Sequence, residues 1–93
     1  MGFFSNLFGN TVANEELANK INNGAMLVDV RSQGEFAAGS AKGAINIPLE
    51  NIQSQLAKFK NKSHIVVFCR SGNRSGQAKA ILNQLGITNV TNG

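Results

Sequence analysis

The chain has 93 residues, a net charge of +4 and 42% hydrophobic residues, with six Phe and neither Trp nor Tyr. That length makes one small domain with a modest core. The mild basic balance argues against a nucleic-acid binder, because only KFKNK at 58–62 approaches a cluster and no groove-reading motif accompanies it. One cysteine excludes an internal disulfide and fits a reduced, cytoplasmic setting, and no apolar run reaches the roughly 18–20 residues needed to span a bilayer.

The N-terminal stretch MGFFSNLFGN has neither the basic region nor the long apolar core of a signal peptide. It also fails the myristoylation pattern, because Asn6 stands where Ser or Thr is required. Residues 1–10 are therefore expected to form an apolar arm whose Phe3, Phe4, Leu7 and Phe8 cover a neighbouring surface. Residues 11–93 form the domain proper. ANEELANKINNG (13–24) reads as a helix, with acidic residues at its start, Leu17 and Ile21 four apart, and Gly24 as a stop.

AMLVDV (25–30) is a short apolar run suited to a buried strand. Ser32 and Glu35 then have the spacing of a capping box, and predict a short helix through Phe36 to Ala38 that ends near Gly39. GAINIP (43–48) reads as a brief strand closed by Pro48, and NIQSQLAKF as a helix with Ile52, Leu56 and Phe59 on one face. HIVVF (64–68) is the clearest strand, with three β-branched residues in its apolar run.

A further helix follows, in which Ala78, Ile81, Leu82 and Leu85 share one face and Gly86 is the stop. ITNV (87–90) reads as a last short strand. Strands and helices that alternate across short connections predict an α/β fold, with a mostly parallel central sheet and helices on both faces. Ligands of such sheets bind beyond the carboxyl ends of the strands.

Cys69 falls at one of those ends, and FCRSGNRSG (68–76) must curl around its sulfur. Backbone N–H groups of residues 70–74 would point inward and form an anion-binding nest at a helix N-terminus. Gly72 permits positive φ at the sharp turn, Gly76 permits close approach of the helix to the sheet, and Ser75 is placed to cap it. A free thiol has a pKa of about 8.5, and helix N-termini or nearby cations lower it. Arg70 and Arg74 add permanent positive charge and can grip an oxyanion. No histidine base is needed, and the lone His64 lies at the opposite end of the strand.

Two blocks of the chain resemble the rhodanese-like sulfurtransferases. LVDVRSQGEFAAGSAKGAINIPL (27–49) is similar to that family's Asp-x-Arg, Glu-Phe and Gly-Ala-x-Asn-Ile-Pro pattern, and IVVFCRSGNRSGQAKAILNQLG (65–86) carries its Cys-x-x-x-x-Arg-Ser loop. The resemblance implies a five-stranded parallel sheet and a catalytic Cys69 that takes a sulfane sulfur from thiosulfate or a persulfide donor. The sulfur passes to cyanide, a thiol or a protein. Arg70, Ser71, Gly72, Asn73, Arg74 and Ser75 form the substrate loop. Arg74 is expected to fix that loop through carbonyl or carboxylate contacts. Asp29 and Arg31 are supporting residues, Asp29 bracing the loop and Arg31 making a buried or rim ion pair for which Glu35 is one candidate partner; Glu35 is otherwise only a helix cap. No cofactor or metal is implied, and a monomer or weak dimer is expected.

The chain departs from the family pattern at Ser40, where a His is frequent, and at VTNG, where the family continues with a Gly-rich turn and a last helix. That helix is expected to be missing here. Two rival functions follow from the same residues. Cysteine phosphatases and arsenate reductases of this fold use a loop one residue longer, so the four residues between Cys69 and Arg74 suit a single sulfur better than a tetrahedral oxyanion. A dedicated persulfide carrier or interaction module, with little small-molecule turnover, would use the same loop.

Overall fold

A computed structural model describes residues 24–93. The N-terminal arm and, apart from Gly24, the helix expected over 13–24 lie outside the described residues. The described chain runs β1 (Met26–Asp29), α1 (Gln33–Ala38), β2 (Ile45–Asn46), two 3-10 turns (Leu49–Asn51 and Leu56–Phe59), β3 (Ile65–Phe68), α2 (Asn73–Gln84) and β4 (Val90–Asn92). The strands form one sheet in the order β2-β1-β3-β4, and every pairing is parallel. The sheet among the described residues thus has four strands, where the family resemblance implies five.

Side-chain alternation along the strands divides the core in two. Val28 and Val30 from the first strand region, and Ile65, Val67 and Cys69 from the third, face one side. There they meet Ile47, Ile52, Phe59, Ala78, Leu82 and Val90. Leu27, Val66 and Phe68 face the other side, against Ala41, Ala25 and Ala44. Both faces of β3 are therefore dry, as its uninterrupted apolar run requires.

The capping box forms as read. Glu35 N–H donates to Ser32 Oγ at 3.2 Å, and Ser32 N–H donates to the Glu35 carboxylate at 3.0 Å. Gly39 ends the helix with φ of 151°.

Three expectations are corrected. Residues 51–59 do not form a regular α-helix. Most of their backbone N–H groups reach back three residues, and Gln55 at φ −113°, ψ 28° separates two 3-10 turns. Asn51 and Ser54 compete with the backbone there, Ser54 Oγ donating to Asn51 O at 3.1 Å, so tertiary packing decides the shape. The apolar face was legible all the same, since Ile52 and Phe59 are buried and Leu56 packs beside them.

The last strand is Val90–Asn92 and not 87–90. Ile87 N–H is taken by Leu82 O at 2.8 Å, so Ile87 still belongs to the turn that closes α2 behind Gly86 at φ 92°. Leu85, read as part of the buried face of α2, is exposed. It sits one residue past the end of the helix, and Ile87 packs on the core in its place.

Candidate active site

A parallel sheet brings the carboxyl ends of all its strands to one edge, and Asp29, Asn46, Phe68 and Asn92 mark that edge. Cys69 is the first residue beyond β3, on the side that faces α2. It is only 3% exposed. The chain then turns back on the sulfur. Gly72 takes φ of 89°, in the left-handed region, and serves as N-cap of α2. Its N–H donates to Cys69 Sγ at 3.1 Å, and Ser75 N–H donates at 3.4 Å.

The helix begins at Asn73, so Ser75, expected as its cap, lies inside its first turn. Gly can hold the αL cap that Ser would resist, and this frees Ser75 to turn inward. Ser75 is fully buried; its hydroxyl lies 3.4 Å from Cys69 Sγ and bonds to the Asn92 side chain. Burial pushes the Cys69 thiol up, but hydrogen bonds from the groups packed around it, the amides of Ser75, Gly72 and Ser71 among them, hold it below its ordinary value.

Ser71 and Asn73 lie exposed on the rim, joined by a long contact from Asn73 N–H to Ser71 Oγ. Arg70 is also exposed, and its side chain has no bond to another described residue. Gly76 lies behind the loop. A Cβ there would come within 3.3 Å of Asn92 Nδ2, so the helix start approaches β4 closely, as expected.

Arg74 does hold a carboxylate. Its Nη1 and Nη2 donate to the two Glu35 oxygens at 2.8 and 3.1 Å, a bidentate pair that ties α2 to α1. Glu35 is thus more than a helix cap. Arg74 first, then the Ser32 amide and hydroxyl, hold its carboxyl far below the usual carboxylate range. The hydrogen bond to Glu35 raises Arg74 in return.

Arg31 does make a buried ion pair, but not with Glu35, which Arg74 engages. Arg31 instead folds onto Asp29, two residues back on the same strand face. Its Nε lies 3.0 Å from both Asp29 oxygens, and its Nη2 lies 2.7 Å from Oδ2. Arg31 Nη2 also donates to Gly39 O at 2.6 Å, and Ser40 Oγ donates to Asp29 Oδ2 at 2.7 Å. Asp29 is fully buried, and its hydrogen bonds brace the 31–40 segment. Direct support of the 69–75 loop by Asp29 is not seen: none of its bonds reaches that loop. Ser40, at the position where the family often has a His, thus bonds that carboxylate.

His64 stands at the amino end of β3, away from the sulfur, with Nε2 2.7 Å from Thr91 Oγ1. Among the described residues, no group of three His, Cys, Asp or Glu side chains is gathered that could hold a metal ion. Nor is any described helix long and apolar enough to cross a membrane. Sequence reasoning missed three members of this site: Asn92, Ser40 and the second role of Glu35. Glu35 carried a signal as an acid near several arginines, and Ser40 one as a departure from the family pattern; Asn92 carried none.

A family model for the rhodanese-like domain matches residues 13–92. The thiosulfate sulfurtransferase PspE of Escherichia coli (strain K12) is 40% identical over 68 residues, which cover 70% of this chain and 64% of that protein. The thiosulfate:glutathione sulfurtransferase of Homo sapiens is 37% identical over 97 residues, which cover 88% of this chain and 84% of that protein. The chain thus spans just under two thirds of the first relative's length and most of the second's. Among solved structures, the human single-domain sulfurtransferase TSTD1 matches with a TM-score of 0.70 at 35% identity, over 82% of this chain and 80% of that one. A rhodanese with anions from E. coli matches with a TM-score of 0.68 at 35% identity, over 74% and 84%. With a parallel α/β sheet, a cysteine loop at its carboxyl edge and a family match over most of its length, this chain belongs to the rhodanese-like sulfurtransferase family.

Proposed function

We propose that the chain is a sulfurtransferase that carries a sulfane sulfur as a persulfide on Cys69. The observation that supports this reading most is the set of backbone amides around Cys69 Sγ in a loop with only four residues before Arg74. Such a cradle favours a thiolate and suits a small anionic sulfur species. In the loading step the Cys69 thiolate attacks the outer sulfur of thiosulfate. A new S–S bond forms, the old one breaks, and its electron pair leaves with sulfite. In the unloading step cyanide, a thiol or a protein thiolate attacks the terminal sulfur, and the electron pair of the Cys69–sulfur bond returns to Cys69. Charge balances in both steps, and neither needs an added oxidant or metal.

Amides at the helix N-terminus stabilise the charge that develops on the sulfur. Exposed Arg70 supplies attraction for a dianionic donor, whereas Arg74 acts mainly by holding the loop through Glu35. The names of the thiosulfate sulfurtransferases among the relatives support thiosulfate as a donor.

The test is sulfur loading. After incubation with thiosulfate the intact mass should rise by one sulfur, and cyanide should then release thiocyanate with turnover. Cys69→Ser should abolish loading while the circular dichroism spectrum stays unchanged. Loading of that variant at the wild-type level would overturn the assignment of Cys69. Loading without turnover to cyanide or small thiols would favour a carrier that delivers its sulfur only to a protein.

A further inference from the structure

Ser75 and Asn92 form a hydrogen-bonded arrangement whose direction the geometry decides. A serine hydroxyl has one proton and two lone pairs, whereas an amide carbonyl oxygen can only accept. Ser75 Oγ lies 2.5 Å from Asn92 Oδ1 and 3.4 Å from Cys69 Sγ. The Ser75–Asn92 bond therefore requires the serine proton. The Asn92 amide is fixed in that orientation, since its Nδ2 donates to Gly72 O at 3.2 Å. A flipped amide would turn its carbonyl onto the Gly72 carbonyl. With its proton engaged by Asn92, Ser75 presents a lone pair to Cys69. A thiol can donate to that lone pair, whereas a thiolate gains nothing from it.

We infer that Asn92 is a positioning residue that sets the thiolate fraction of Cys69 by directing the Ser75 hydroxyl proton away from the sulfur. This deepens the reading of Cys69 as the sulfur carrier and rests on it, but concerns only the resting thiol. In the thiol form the proton order runs from Cys69 S–H to Ser75 Oγ, and from Ser75 O–H to Asn92 Oδ1. The amides of Gly72 and Ser75 lower the thiol, while Asn92 prevents the hydroxyl from lowering it further. Loss of the Cys69 proton leaves the hydroxyl two choices. It keeps its bond to Asn92, or it breaks that bond and turns to the sulfur. Asn92 therefore opposes ionisation either way.

Among the described residues, the charged groups around Cys69 come from three elements: Arg70 and Arg74 from the loop and the start of α2, Glu35 from α1, and the Asp29–Arg31 pair at the end of β1. The β4 side contributes only the neutral Thr91 and Asn92. Substitutions at Ser75 or Asn92 leave all of these charges in place, so a shift in Cys69 ionisation reports the hydroxyl.

The experiment is a double-mutant cycle read by thiolate absorbance and by the rate of iodoacetamide alkylation against pH, in full-length protein with one cysteine. Asn92→Ala should lower the Cys69 pKa by about one unit, the size of one hydrogen bond to a charged group. Ser75→Ala should leave the pKa unchanged or slightly lower in the wild-type background, and should raise it in the Asn92→Ala background. A rise of equal size in both backgrounds would overturn the inference, because the hydroxyl would then already donate to the sulfur beside Asn92.

The infrared S–H stretch offers a second reading that needs only the wild type. It should lie at a hydrogen-bonded frequency, and a free-thiol frequency would equally overturn the proposal. Neither measurement depends on sulfur transfer. A failure of the persulfide reading would appear in the loading assay instead, and leave these titrations intact.

Discussion

Arg70 and Arg74 flank one loop, yet the fold uses them differently. Arg74 is drawn into a bidentate pair with Glu35, and Arg70 is left exposed at the rim without a described partner. A surface side chain of that kind contributes little to stability, within about 0.5 kcal/mol, but a guanidinium at the mouth attracts a dianion. Arg70→Ala should therefore raise the apparent KM for thiosulfate several-fold and leave the melting temperature unchanged. A fall in melting temperature with normal kinetics would mark Arg70 as structural instead. At this scale the sequence was informative where chemistry depends on residue type, as with the cysteine, the glycine of positive φ and the arginines. It was silent where a role depends on who else arrives. Ser75 reads as a helix cap until Gly72 is seen to take that position, and Asn92 has no local pattern that would point to the sulfur.

The pair between Glu35 and Arg74 belongs to the scale of elements, because it joins the first turns of α1 and α2. Glu35 holds two partners at once: the Ser32 end of its own capping box and the guanidinium beside Cys69. Gln at the same position can still complete a capping box, so Glu35→Gln isolates the charge pairing with Arg74. The variant should keep helix α1 and lose part of kcat/KM for thiosulfate, because Arg74 no longer fixes the loop. Its stability deficit should also depend on pH. The folded protein holds the Glu35 carboxyl below its unfolded value of about 4.3. The pairing therefore stabilises the fold above that value, and its contribution fades as pH falls towards the depressed one.

Denaturant melts of wild type and variant at neutral and acid pH should thus converge in acid, and a constant gap would refute the linkage. Among the elements, those with a strong local code were legible: the Ser32–Glu35 box, the β3 run and the apolar face of α2. Residues 51–59 were legible in their buried face but not in their backbone, because packing of Ile52 and Phe59 overrides local helix propensity there.

For the whole molecule, parallel strands place the end of every strand at one edge, and there the chemistry gathers, while the two faces supply stability. The larger core cluster links both functions, since it runs from Phe59 through Ile65 and Val67 to Cys69 itself. Phe59 is buried yet bonds to nothing around the sulfur, so it separates stability from chemistry. Truncating a buried Phe to Ala costs about 3–5 kcal/mol, and a domain of this size has a total stability of about 5–15 kcal/mol.

Phe59→Ala should then lower the urea midpoint steeply with little change in slope. Below that midpoint the folded fraction should still load sulfur at the wild-type rate, since the amides that hold Cys69 come from Gly72 and Ser75. The check is a pair of curves, loading rate and circular dichroism against urea, which should fall together. If loading were lost while the spectrum remained native, the core under β3 would be setting the loop geometry as well as holding the sheet together.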